Sequence, residues 1–145
     1  AAKRGKGIRF AVASSFHLPF LPASLDCLTC IFAPRNEAEF FRVLKPHGAL
    51  IVAAPGARHL YQLREAISEE PEPLGEKGTV ATGFRLETRT QVAFTIHLAD
   101  AVDLLNLVDM TPYGRHIDEA TRDRLRTCTD FTTEVDFEIL VYHKA

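Results

Sequence analysis

The sequence has few cysteines, no long apolar run and no large excess of charge of one sign. Its three cysteines are an odd set among 145 residues, which suits a reducing compartment. No apolar run approaches the roughly 20 residues that a membrane-spanning helix requires, and the N-terminus has no signal-peptide pattern. These absences exclude a membrane-spanning helix and predict a cytoplasmic protein with no membrane partner.

The overall charge is close to neutral. A formal net charge of −2 and an isoelectric point of about 6.3 give no strong basic field to attract nucleic acid, although a local basic face would be enough to bind RNA. The sequence lacks G-x-G-x-x-G, H-E-x-x-H and a Ser-His-Asp order, and Gly5-Lys-Gly7 is too short for a phosphate loop. No catalytic base stands out.

Cys27 and Cys30 form a C-x-x-C pair, which raises the question of a zinc or redox site. They lie in a predicted strand, where side chains alternate between faces, so an odd separation directs the two sulfur atoms to opposite sides. No second pair follows, and Cys128 stands alone. We therefore predict structural thiols and no metal site.

The chain begins AAKRGKG, without methionine. Ala1–Arg4 is typical of a last helical turn, and Gly5 is typical of the residue that ends one. We expect a chain that opens in this way to have lost a preceding segment.

Apolar periodicity predicts one α/β domain without internal repeats. Helices between apolar strands predict right-handed crossovers and a parallel sheet. Alternation of Val135, Phe137, Ile139 and Val141 with acidic residues predicts an antiparallel last strand near an edge, with one wetter face. The predicted strands are 8–13, 25–32, 49–54, 84–96 and the last strand over 134–141. The predicted helices are one capped by Asn36 and ended by residues 45–48, and three over 59–67, 99–108 and 118–126, with a flexible stretch over 69–78.

Ligands of an open parallel sheet bind beyond the carboxyl ends of its strands. Three predicted loops meet that description, over residues 14–20, 33–36 and 55–60. Ser14 and Ser15 could bind a ligand's polar edge or bond nearby backbone. His59 could contact a cofactor or lie on the surface, and Arg58 could hold a phosphate or carboxylate or be solvated. The other candidates in these loops are His17 and Pro34.

A second group of basic residues lies near the C-terminus. Arg115 and His116 follow the turn MTPYG and are candidates to contact RNA. Arg122, Arg124 and Arg126 alternate along a short predicted helix and do not all share one face, so we expect a solvated surface there.

Several motifs together resemble a known enzyme family. LPF, Asp26 opening a strand, and VLKPHG before ALIVAA are similar to the class I S-adenosylmethionine-dependent methyltransferases over residues 8–54. Over nearly the whole chain, VASS-x-x-LPF, IFAP, PGARHL, MTPY and a late Thr-Asp-Phe resemble the bacterial large-subunit rRNA (guanine-N1)-methyltransferases. PGARHL and MTPY are the specific parts, because general methyltransferases do not carry them.

The resemblance implies methylation of guanine N1 in a 23S rRNA hairpin, with S-adenosylmethionine as cofactor. It implies that His59 contacts the cofactor, that Ser14 stands where an Asp commonly reads the adenine amino group, and that Leu18 and Pro19 pack against the adenine. The cofactor-binding candidates are therefore His59, Ser14, Ser15, Leu18, Pro19 and Pro34, and the RNA-binding candidates are Arg58, Arg115 and His116.

The resemblance also implies what is missing. The family's sheet runs 3-2-1-4-5-7-6, and residues 1–145 match strands three to seven, the C-terminal portion of one Rossmann-like methyltransferase domain. The N-terminal zinc module, the glycine-rich loop and the acidic residue for the ribose are absent. We expect strand three to be orphaned and strand four to present an apolar edge, which could support a homodimer. A small-molecule methyltransferase and a non-catalytic fragment remain alternatives.

Overall fold

A computed structural model describes residues 7–68, residue 74 and residues 82–145. The predicted helix end at residues 1–4 and nearly all of the stretch 69–78 lie outside the described residues. The strands are β1 (Leu25–Ile31), β2 (Leu44–Pro55), β3 (Phe84–Leu98) and β4 (Phe131–Lys144). The helices are α1 (Glu37–Val43), α2 (Tyr61–Ile67), α3 (Ala101–Met110) and α4 (Glu119–Arg126), with a 3₁₀ turn at Pro112–Arg115.

The four strands form one sheet in the order β1-β2-β4-β3. β1 pairs parallel to β2, with Cys27 opposite Ala49 and Ile31 opposite Ala53, which confirms the predicted crossover through α1. β4 runs antiparallel to β2, because the early part of β4 bonds the loop after β2 while His143 near its end contacts His47. The order is the 4-5-7-6 part of the expected sheet.

The prediction of a wetter face for the last strand is wrong, whereas its antiparallel position near an edge of the sheet is confirmed. β4 lies between β2 and β3, and buried side chains occur on both of its faces, including Val135 and its neighbour Asp136. The alternation of acidic residues suggested exposure, but a carboxylate can be buried where hydrogen-bond donors surround it.

The predicted strand at residues 8–13 does not form. The segment is irregular and exposed, with Ile8 at 62%, Phe10 at 53% and Val12 at 106% relative exposure. A strand needs a neighbour for its backbone N–H and C=O groups. Within the described part of the chain no such neighbour is supplied, so strand-forming composition alone does not produce a strand.

The first half of the sheet follows the sequence closely. The Asn36 side chain accepts a hydrogen bond from the Glu39 N–H and caps α1, and Phe40, Val43 and Leu44 are buried. β2 begins at Leu44, earlier than the predicted Ala49. Leu44 already pairs with Leu25, and residues 45–48 form an irregularity before regular pairing resumes between Cys27 and Ala49. His47 there adopts a left-handed conformation with φ of 62°.

The chain divides into two compact units, and β2, β3 and β4 contribute residues to both. The first unit comprises the described residues of 1–53, 78–90 and 139–145, and the second those of 54–77 and 91–138. In the first unit Phe84 stacks edge-on against Phe41 and Tyr142. The core of the second unit consists of Leu60, Leu63, Leu104, Val108, Leu125 and Val135.

Among the described helices, none combines the length and the apolar character needed to cross a bilayer.

Candidate functional site

The turn Leu18-Pro19-Phe20 in the first unit is fastened to α1 by two charged side chains. The Leu18 N–H donates to Glu39 Oε1 at 2.7 Å, and the Arg42 guanidinium donates to the carbonyls of Phe20 at 3.0 Å and Leu18 at 3.2 Å. Arg42 also pairs with Glu39 at 2.6 Å. This ion pair, together with the Leu18 hydrogen bond, lowers the pKa of Glu39 to about 2.

The serine candidates precede that turn. The Ser14 hydroxyl accepts the Phe16 N–H at 3.1 Å, and the Ser14 carbonyl accepts the His17 N–H at 3.0 Å. Ser14 therefore makes the local backbone bonds that the alternative interpretation expected, while remaining exposed. Ser15 is half-buried beside it.

Pro34 follows the carboxyl end of β1 in the same unit and is exposed. The chain leaves the strand through Phe32, which has a left-handed φ of 47° and donates its N–H to Ala53 O at 3.0 Å. The Cys30 thiol lies 3.5 Å from Ala33 O. These bonds shape the loop between β1 and α1, where the sequence predicted a ligand edge.

The loop Pro55-Gly-Ala-Arg-His-Leu60 in the second unit is tied to β4. Gly56 N–H donates to Asp136 O at 2.8 Å, Arg58 N–H donates to Asp136 Oδ2 at 3.0 Å, and Leu60 N–H donates to Glu134 O at 2.7 Å. In return the Asp136 N–H donates to His59 Nδ1 at 3.3 Å. Asp136 thus makes hydrogen bonds to three residues of the loop, Gly56, Arg58 and His59.

His59 is half-buried. Its ring packs on Phe137 with 5.0 Å between centroids, and this burial lowers the pKa of His59. Because Nδ1 accepts a hydrogen bond from Asp136, the neutral ring carries its proton on Nε2. The loop therefore holds a neutral imidazole of defined tautomer.

Arg58 is not simply solvated. Its guanidinium bonds Glu134 at 2.5 Å and lies 4.8 Å from the centroid of the Tyr61 ring. The hydrogen bond and charge of Glu134 raise the pKa of Arg58, and the hydrogen bond to Arg58 lowers the pKa of Glu134. An RNA phosphate at Arg58 would have to share it with this carboxylate.

A shallow cleft of about 210 Å³ adjoins the same loop in the second unit. Gln91 reaches into it and donates to Asp136 Oδ1 at 2.8 Å. The cleft is lined by Arg58, Gln91, Ala93, Phe94, Thr95, Glu134 and Asp136. Sequence reasoning missed Asp136 and Gln91, because nothing in the alternation of the last strand distinguishes a buried acidic residue from an exposed one.

Arg115 and His116 end the 3₁₀ turn and its cap, and both are exposed. The three alternating arginines of α4 have separate partners, and Arg124 and Arg126 are exposed as expected, whereas Arg122 is half-buried. Arg122 pairs with Asp109 at 2.8 Å, Arg124 donates to the Ala66 carbonyl, and Arg126 pairs with Glu119 at 2.8 Å.

The structure places the candidates in two groups. Ser14, Ser15, Leu18, Pro19 and Pro34 belong to the first unit, and Arg58, His59, Arg115 and His116 to the second. Cys27 is exposed and Cys30 buried, in keeping with opposite faces of β1. Within the described ranges, no three His, Cys, Asp or Glu side chains are grouped to hold a metal.

No protein-family model matches the chain. A Bacillus subtilis (strain 168) protein named "Putative 23S rRNA (guanine-N(1)-)-methyltransferase YxjB" is 40% identical, over 97% of this chain and 51% of its own length. A Micromonospora griseorubida protein named "Putative 23S rRNA (guanine-N(1)-)-methyltransferase" is 32% identical, over 71% of this chain and 36% of its own. The chain is a homologue of these two proteins. The resemblance inferred from the motifs is thereby confirmed.

The chain spans about half the length of the Bacillus subtilis relative and about a third of the other. A crystal structure described as that of a putative methyltransferase from Bacillus halodurans C-125 matches with a TM-score of 0.59 and 13% identity, over 99% of this chain and 74% of that one. At this identity the likeness concerns the fold alone. The fold is that of the class I methyltransferases in incomplete form, with strands four to seven present.

Proposed function

We propose that the protein methylates N1 of a guanine in a 23S rRNA hairpin, with S-adenosylmethionine as the methyl donor. The observation that carries this proposal is the 40% identity to the Bacillus subtilis relative over 97% of the chain. The motifs PGARHL and MTPY favour the rRNA enzyme over a small-molecule methyltransferase of the same fold. A cytoplasmic location accords with such a substrate.

The geometry of the Leu18–Phe20 turn in the first unit supports the proposal that this turn forms one wall of the cofactor site. The backbone of the Leu18–Phe20 turn is bonded to α1 from one side, while Pro19 and Phe20 remain exposed. A fixed apolar surface suits the flat face of an adenine ring, and Ser14, Ser15 and Pro34 lie in the neighbouring loops. These residues therefore fit a nucleoside cofactor.

We propose that His59 in the second unit contacts S-adenosylmethionine, as the resemblance implies. A neutral ring held by Asp136 adds no positive charge beside a cationic sulfonium. S-adenosylmethionine, when bound, supplies an electrophilic methyl group. The role of the loop is to hold the imidazole in one orientation, and positioning of this kind accounts for much of the catalysis in such enzymes.

The substrate imposes two further requirements. Guanine N1 carries a proton that must leave before or during the transfer, and the base must leave its stack to reach a buried methyl group. Arg58, Arg115 and His116 are the proposed contacts to the RNA. Of these, Arg115 and His116 are exposed at the end of one turn, where they could meet a phosphate.

The proposal is tested by incubating the purified protein with 23S rRNA lacking the modification and with methyl-labelled S-adenosylmethionine. The RNA is then digested to nucleosides and analysed by mass spectrometry. We expect labelled 1-methylguanosine. Label on another nucleoside, or only on small molecules supplied in a parallel reaction, would overturn the substrate assignment. Absence of any transfer would favour the non-catalytic alternative.

A further inference from the structure

Side chains of α1 make most of the hydrogen bonds found for the backbone N–H and C=O groups of the Leu18-Pro19-Phe20 turn. Pro19 has no N–H, and the Phe20 N–H donates to Leu18 O at 2.8 Å within the turn. Three further bonds go to one ion pair on α1: the Leu18 N–H donates to Glu39, and the carbonyls of Leu18 and Phe20 accept from Arg42. A single pair of side chains therefore fixes the shape of the turn.

The pair is itself rigid. Glu39 and Arg42 are three residues apart and so share a face of the helix. Arg42 donates to both oxygens of Glu39, from Nε at 2.8 Å and from a terminal nitrogen at 2.6 Å. This fork leaves little freedom to the guanidinium plane. The Glu39 side chain is only 11% exposed, so water screens the pair poorly on that side.

The turn exposes apolar surface instead of burying it. Phe20 is 45% exposed, Pro19 is exposed as well, and Leu21, which follows the turn, is 77% exposed. Burial in the core of the unit therefore does not explain why this turn is held so firmly. A fixed backbone with exposed apolar side chains is what a wall for a flat apolar ligand requires.

We propose that Glu39 and Arg42 are positioning residues of the cofactor site, which hold the Leu18–Phe20 turn in the shape that receives the adenine ring. The inference rests on the proposed function, since it takes S-adenosylmethionine as the ligand. In this role both residues act through the turn and not by direct contact with the cofactor.

A charge reversal separates this role from simple helix stabilisation. The double variant Glu39→Arg/Arg42→Glu restores an ion pair at the same spacing on α1. It places a donor, not an acceptor, opposite the Leu18 N–H, and an acceptor opposite the two carbonyls. The matched control is Asp123→Arg/Arg126→Asp, which reverses the ion pair of the same spacing on α4.

Three quantities are measured on each protein: the melting temperature, the hydrogen-exchange protection of the Leu18 amide, and KM for S-adenosylmethionine alongside KM for RNA. We expect the reversed α1 pair to melt within a few degrees of wild type. We expect the Leu18 amide to lose protection and KM for S-adenosylmethionine to rise at least about tenfold, with KM for RNA unchanged. Arg42→Lys, which keeps the charge but loses the fork, serves as the milder variant if the reversal does not fold.

Recovery of wild-type KM in the reversed variant would overturn the proposal, because the pair would then serve only the helix. A similar rise in KM in the α4 control would overturn it too. If the wild type bound no S-adenosylmethionine, the proposed function would fail and the cofactor role with it. The exchange data would distinguish the two failures, since loss of Leu18 protection reports on the turn without any ligand.

Discussion

The carboxylate of Asp136 occupies the space into which a side chain at position 56 would project. A Cβ built on Gly56 would lie 2.4 Å from the Cγ and Oδ2 of Asp136, which is far inside van der Waals contact. The same carboxylate accepts hydrogen bonds from the Arg58 N–H and from Gln91. The glycine at position 56 and the aspartate at position 136 therefore depend on each other. The loop can approach β4 this closely only because residue 56 has no side chain.

We expect Gly56→Ala to destabilise the protein by about 1 to 3 kcal/mol, the usual cost of inserting a methyl group where there is no room. Chemical denaturation measures the free energy of unfolding. In an Asp136→Ala background the methyl group has space, so the additional cost of Gly56→Ala should largely disappear. Additive effects in this double-mutant cycle would show that the two positions do not share the space.

Lys144 stabilises the end of α1. Its Nζ donates to the carbonyls of Phe41 and Leu44, each at 2.7 Å, and lies 4.1 Å from the centroid of the Phe41 ring. We expect Lys144→Met to cost about 1 kcal/mol, because two carbonyls lose a charged donor. Lys45→Met is the matched control. Lys45 pairs with an 83% exposed Asp26 side chain, so its removal should cost close to nothing.

His143 makes stability depend on pH. Its Nδ1 lies 3.2 Å from the His47 carbonyl and its Nε2 lies 2.8 Å from Glu87, and these two acceptors raise the pKa of His143. The folded state favours the protonated ring. The stabilisation that this ring gives the folded state is therefore fully present below the pKa of histidine in the unfolded chain, about 6.5. It is lost as the pH rises through the raised, folded pKa.

The check is the free energy of unfolding measured over that pH range for wild type and His143→Gln. The variant should lose the part of the pH dependence that belongs to His143, with the difference between the two proteins shrinking as the pH rises. A difference that grows with rising pH would contradict the assigned protonation state.

The edge of the sheet at β1 is proposed to pair with a second copy of the chain. β1 is the first strand in the order, and Ile31 and the following Phe32 are 63% and 51% exposed. Unpaired apolar edges tend to associate. Light scattering after size exclusion should give a dimer that Ile31→Lys dissociates. Met110→Lys, at another exposed apolar side chain, should leave the dimer intact, and a monomeric wild type would refute the pairing.

The parts of the fold that were predictable are those in which local pattern and final environment agree. The apolar β1, the Asn36 cap and the apolar face of α1 specify a strand-helix-strand unit without reference to distant residues. Residues 8–13 have an equally good strand composition but lie in coil, because pairing depends on a neighbour that composition does not reveal. The burial of both faces of β4 was likewise hidden by its acidic residues.

The candidate site likewise has features that the sequence predicts and features that it does not. The loops that carry Pro34 and His59 follow from the strand order, whereas Ser14 follows a segment that forms no strand. The residues that hold those loops do not, because Glu39 reaches a residue 21 positions away and Asp136 one 78 positions away. Contacts of that range arise from the tertiary structure, and the identity of a single acidic residue gives no sign of them.

The measurement that tests the central claim most directly is a calorimetric titration of the purified protein with S-adenosylmethionine, together with its intact mass. We predict one site per chain with affinity in the micromolar range, weakened by His59→Ala and unaffected by Met110→Lys. Absence of binding by a protein whose mass and fold are confirmed would contradict the account, because the proposed cofactor contacts would then bind no cofactor.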